Sequence, residues 1–178
     1  MKRLLLLAVL MMATATVTAQ DLKLADRVIR VNDVYEGYKL VSARCGYIDM
    51  GFGDTPPMAG KYYPEYNASE KWTLYPTDAG TFRRIVIEFI GEWYGTLIDD
   101  LFAMGYRATS DRRENYRVMG QPVPWRVIRM KKGNVVVKFI DPHTAPSKTG
   151  IMEGDNSVEL YGGDAPIGDF IVEFIRTN

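Results

Sequence analysis

Apolar and polar residues alternate in short runs along most of the chain, with turn signals between the runs. In "FRRIVIEFI" (Phe82–Ile90), Ile85, Ile87 and Phe89 share one face while Arg84, Val86 and Glu88 share the other. That period of two is the signature of a strand. Similar runs predict strands at "RVIRV" (Arg27–Val31), "YKLVSA" (Tyr38–Ala43), "KWTLY" (Lys71–Tyr75) and "WRVIRM" (Trp125–Met130). Others follow at "NVVVKFI" (Asn134–Ile140), "SVELY" (Ser157–Tyr161) and "DFIVEFI" (Asp169–Ile175). Lys132-Gly133-Asn134 is a tight-turn candidate between two of them. Many short strands at this spacing predict an all-β fold, an antiparallel β-sandwich or barrel. Its core is expected to hold Ile85, Ile87, Phe89, Val135, Val137 and Phe139, or the residues on the alternate faces of the same strands.

One segment reads two ways. "EWYGTLIDDLFAMGY" (Glu92–Tyr106) places Trp93, Leu97, Leu101 and Met104 at helical spacing, with Gly105 as a C-cap. Asp100–Met104 also alternates as a strand would. The alternative to an all-β chain is therefore an α+β fold with one helix near 93–104. A further stretch, "YYPEYNASEKWTLYP" (Tyr62–Pro76), is too broken by proline for a helix and reads as a loop feeding the Trp72 strand. Its aromatics either cover the sheet edge or, as Tyr62, Tyr63 and Tyr66, present a binding platform. A Tyr ring offers a flat apolar face and a polar tip.

The ends of the chain change the setting. Lys2 and Arg3, the apolar run Leu4–Met12 and the small-residue site Val17-Thr18-Ala19 make residues 1–19 a secretory signal peptide cleaved near Ala19. The expected location is secreted or periplasmic. The apolar run is shorter than the ~20 residues that span a bilayer, so the protein is not expected to be membrane-spanning. Residues 20–178 suit a single domain. Without Lys2 and Arg3, 20 basic residues face 22 acidic ones, a formal charge of −2. That balance offers no reason to expect nucleic acid. Cys45 is the only cysteine, which excludes an internal disulfide and reads as a small buried hydrophobe.

Candidate catalytic chemistry is sparse. No nucleophile elbow or zinc-binding His-Glu-x-x-His run occurs, and the single histidine, His143, sits in a proline-flanked loop. Paired carboxylates leave no local signature, so Glu88, Glu92, Asp99 and Asp100 stay candidates for acid–base work.

The order of segments from Cys45 to about Ile151 resembles a CUB domain, an extracellular β-sandwich of jelly-roll type. Cys45-Gly46, "KYYPEYNASEKWTLYP", "RRIVIEF", "DDLFAMG" and "MGQPVPWRVIRMKKGNVVVKFIDPHTAPSKTGI" follow the family's sequence of features. The family's disulfides have no counterpart here, Glu70, Leu97 and Met119 standing at the matching positions. The resemblance implies a strand at Asp100–Met104 and a Ca²⁺ site formed by Glu92, Asp100 and Asp141. It also implies a non-catalytic module that binds an extracellular protein or glycan, flanked by N- and C-terminal extensions of the same domain. Two other classes stay open: a secreted glycan-active hydrolase with paired carboxylates, and a subunit of a surface or adhesion assembly. The ligand and the oligomeric state are not legible.

Overall fold

A computed structural model of the chain describes residues 20–64, 67–90, 97–118, 121–142 and 170–178. Two helices come first, α1 (20–30) and α2 (Val34–Cys45). Strands β1 (Met58–Tyr63), β2 (Ala68–Pro76) and β3 (Phe82–Ile90) follow, then helix α3 (Leu97–Ala103). Strands β4 (Arg107–Val118), β5 (Gln121–Lys132), β6 (Val135–Asp141) and β7 (Phe170–Arg176) complete the fold.

All seven strands join one sheet in the order β1-β2-β3-β7-β6-β5-β4, antiparallel throughout. Two three-stranded meanders are thus joined by the last strand, which pairs with β3 on one side and β6 on the other. Strand β7 is therefore central to the sheet. At the β5–β6 corner Lys132 pairs with Val135, and Gly133 takes φ 59°, a conformation a side chain would resist.

Of the two faces the alternation of β3 allows, the one carrying Ile85, Ile87 and Phe89 turns to the main core. Ile85, Ile87 and Phe89 join Val135, Val137, Phe139, Trp72, Val172 and Phe174 in one core. Leu22, Ala25, Val28 and Ile29 of α1, Val41 of α2 and Leu101 of α3 cover that face. Each large side chain so buried contributes roughly 1.5–3 kcal/mol. The predominantly antiparallel β class stands. The layer packed on the sheet is helical, and no second sheet forms among the described residues.

Three sequence expectations are corrected. "RVIRV" is helical through Arg30, "YKLVSA" is helical throughout, and so is most of the stretch Asp100–Met104 that the CUB resemblance makes a strand. For the first, Leu22, Ala25, Val28 and Ile29 repeat at helical spacing across a window wider than the five-residue run. For the second, Asp33 caps the helix: its Oδ1 accepts from the Tyr35 N–H at 2.9 Å, and Gly46 ends it at φ 92°. For the third, Gly105 takes φ 91° and the Tyr106 N–H reaches back to Leu101 O at 3.0 Å, the C-cap that the helical reading anticipates.

The other sheet face carries Val86, Tyr116, Trp125, Val127, Ile140 and Ile171, with Tyr116 stacked on Trp125 at 4.9 Å. Charged residues are interleaved with them. Glu114 takes a two-pronged contact from Arg129, Nε–Oε1 2.7 Å and Nη2–Oε2 2.9 Å. Glu173 pairs with Arg84 and with Lys138.

Candidate functional site: an apolar groove beside helix α2

On α2, Tyr35, Tyr38, Lys39 and Ser42 stand at positions i, i+3, i+4 and i+7 and so share a stripe. Gly46 reverses the chain, and the segment after it returns along that stripe with Ile48 and Met50. Together these six residues line an open groove of about 580 Å³. Its far wall is held by the backbone. Asp49 and Met58 exchange N–H···O bonds of 2.8 and 2.7 Å, the Gly51 N–H donates to Asp49 Oδ1 at 2.9 Å, and the Thr55 N–H donates to Phe52 O. Gly51 has φ 69°, and a Cβ there would strike the Thr55 carbonyl.

The near wall is anchored in the core. Tyr38 meets Phe82 edge-on, with ring centroids 5.4 Å apart, and burial raises the pKa of its phenol. Tyr35 is 74% exposed and Met50 56%. Tyr47 and Phe52 on the same loop are exposed too, Phe52 almost completely. Large apolar side chains gathered on one surface mark an interaction site more often than scattered ones do. Polar groups are few. Lys39 is engaged by Glu36 at 2.5 Å and the Ser42 hydroxyl donates to Gly46 O at 3.5 Å, so Ser42 and the two phenols offer few hydrogen bonds to a ligand.

A second constellation lies beneath the helices. Arg44 of α2 pairs with Asp21 of α1, with Glu70 of β2 at 3.5 Å, and with the Tyr63 hydroxyl. Two carboxyl groups therefore share one guanidinium. Burial, then the charge of Glu70, pushes Asp21 up to about 8 despite Arg44. Asp21 and Glu70 are both shut off from solvent, so this pair cannot meet a glycan. Beside it, burial and Glu70 push the Cys45 thiol up to about 12. It is a partly buried residue packed on the core.

The residues singled out in the sequence are dispersed. Tyr62 and Tyr63 point to opposite faces of β1, as neighbours in a strand must. Tyr62 is exposed, its hydroxyl 3.3 Å from Asn67 Oδ1, while Tyr63 is buried against Arg44 and Lys61. Tyr66, Glu92 and His143 lie outside the described residues. Glu88 sits half-buried on β3, 3.9 Å from Lys71. Asp99 and Asp100 occupy the first turn of α3, and Asp141 ends β6 directly across from Arg126. Asp100 and Asp141 both have interaction partners. Among the described residues no group of three or more His, Cys, Asp or Glu could hold a metal ion. Nor is any helix there long and apolar enough to cross a membrane.

No known protein family, curated protein or solved structure matches the chain. The site is therefore read from its own geometry. The groove residues Tyr35, Tyr38 and Met50 were not singled out from the sequence. The signal is the i, i+3, i+4, i+7 spacing of Tyr35, Tyr38, Lys39 and Ser42, which a strand reading of "YKLVSA" conceals.

Proposed function

We propose that the protein is a secreted, non-catalytic binding module that takes an apolar side chain of a protein partner into the groove beside α2. The observation that carries this reading is the groove itself: an open apolar trough with a tyrosine wall anchored in the core and a backbone-braced wall bearing Met50. Met and Tyr suit a peptide side chain, because one adapts in shape and the other gives rigid contact area. A sugar would call for a denser set of fixed hydrogen-bonding groups than Ser42 and two phenols supply.

Residues 1–19 support secretion, and N-terminal sequencing of the exported protein should begin near Gln20. The calcium dependence implied by the CUB resemblance would require Glu92 to join Asp100 and Asp141. Calorimetric titration of Ca²⁺ into the native chain and an Asp100→Ala/Asp141→Ala variant tests it directly.

The groove is tested by displaying random peptides and a glycan array against residues 20–178, then repeating both with Tyr35→Ala/Met50→Ala. Peptides with an apolar or aromatic anchor should be enriched and should bind the variant at least about tenfold more weakly, the scale of a lost hot spot. Glycan hits lost in the same variant would reassign the site to sugars. No enrichment in either screen would overturn the reading.

A further inference from the structure

The β4–β5 hairpin differs in charge from the rest of the chain. Between Arg107 and Lys132 there are eight basic and two acidic residues, a formal +6. The remainder of residues 20–178 holds twelve basic and twenty acidic residues, a formal −8. Strand β4 is also an edge of the sheet, and among the described residues nothing pairs with its outer side. At twelve residues it is one of the two longest strands.

Within the hairpin, like charges face each other. Arg107 stands directly opposite Lys131, and Arg113 directly opposite Arg126. Such pairs destabilise a sheet unless an anion lies between or beside them. Arg126 is answered by Asp111, at 2.6 and 2.9 Å. Arg107 donates only to the backbone carbonyls of Phe102 and Tyr106, while Arg113 and Lys131 have no carboxylate partner among the described residues. The two pairs lie on opposite faces of the sheet. Arg126 alternates in step with Ile128 and Met130 of the helix-covered core, whereas Lys131 alternates with Val127 and Arg129 of the other face.

We propose that the outer edge of β4 receives an extended acidic segment of a partner protein by strand addition. An added strand would match the free backbone groups of the edge, and its side chains would reach both faces in alternation. Acidic residues on it would therefore meet both cation pairs, which a polyanion lying on one face would not. A second copy pairing β4 against β4 would set basic strands against each other, so the same charges disfavour self-association and admit an acidic strand. This surface is independent of the groove beside α2.

The test uses a peptide of about ten residues alternating Thr and Glu, with Thr/Lys and Thr/Gln versions and heparin beside it. Binding to residues 20–178 is measured by calorimetry and by amide hydrogen exchange. The Glu peptide should bind, protect the β4 amides and weaken about tenfold when salt rises from about 50 to about 300 mM. Arg107→Glu/Lys131→Glu and, separately, Arg113→Glu should each reduce its affinity at least about fivefold; circular dichroism confirms that each variant is folded. Milder Arg107→Gln and Arg113→Gln variants serve if it is not. Heparin binding without protection of β4 would make this a polyanion surface and overturn strand addition. Equal binding of all three peptides, loss in only one of the two variants, or self-association through β4 in sedimentation would overturn it as well. With no binding by any probe, the charges would only guard the edge, and the proposal would fall.

Discussion

Arg129 of β5, paired in register with Ser110, reaches diagonally to Glu114 of β4 with two parallel contacts, 2.7 and 2.9 Å, on a sheet surface where Glu114 is almost wholly buried. Burial by itself would raise the pKa of Glu114. The bonds and charge of Arg129, with Lys138 and Arg112, outweigh it and hold the carboxyl below its ordinary value. Removing the carboxylate would take from Arg129 and Arg112 the anion they share. Glu114→Gln should therefore cost about 2–3 kcal/mol in urea unfolding, less than a fully buried pair because Arg129 keeps part of its side chain in water. A Glu114→Leu/Arg129→Met double variant should lose less than the single one. A change below about 0.5 kcal/mol for the single variant would show that the pair is replaced by solvent.

The Asp21–Glu70 pair makes the fold lose stability as pH rises from the acid range to about 8. Asp21 binds a proton more tightly when folded, with a pKa of about 8 against an ordinary 3.8. Between those values the folded state holds the extra proton, so stability falls as pH rises through that window and levels off above about 8. The slope from this group is at most ~1.4 kcal/mol per pH unit. Asp26, Asp111 and Glu114, all lowered, act oppositely and lose their contribution as pH falls into the acid range. Thermal unfolding from pH 5 to 9 should show a decline that levels off near pH 8, and Asp21→Asn should flatten it. An unchanged slope in that variant would refute the assignment.

Gly37 on α2 is buried against Phe82, and a Cβ there would overlap the Phe82 ring. Alanine normally stabilises a helix interior by ~1 kcal/mol over glycine. Here the overlap should win, with Gly37→Ala destabilising by about 1–3 kcal/mol, as overpacking does. A Phe82→Leu change should recover part of that loss in the double variant, read as the denaturant midpoint. A more stable Gly37→Ala protein would mean that α2 can shift away from β3.

Cys45 should behave as a quiet thiol. With its pKa pushed up to about 12, almost no thiolate exists near neutral pH. Reaction with a disulfide reagent at pH 8 should be at least about a hundredfold slower in the native chain than after unfolding, since a free thiol titrates near 8.5. Rapid native labelling would show that the cluster of Cys45, Glu70 and Arg44 opens.

Much of the sheet is legible from the chain alone because period-two alternation is local. Ile85, Ile87 and Phe89, and again Val135, Val137 and Phe139, share one face without reference to any partner strand, while packing decides that this face turns inward. The Gly133 corner is equally local, since φ 59° is a property of one residue. The helical segments were also encoded, but over a wider window: Leu22 to Ile29 spans two turns, and the β-branched residues in "RVIRV" hide that period when read alone. Tertiary structure decided the rest. Which strand stands beside which is set by the matching of whole faces, so β7 enters between β3 and β6 although 28 residues separate it from β6. The same long-range packing brings Asp21 and Glu70 to one guanidinium and lays Met50 beside Tyr35. No local pattern marks either meeting, because each depends on where the two helices settle on the sheet.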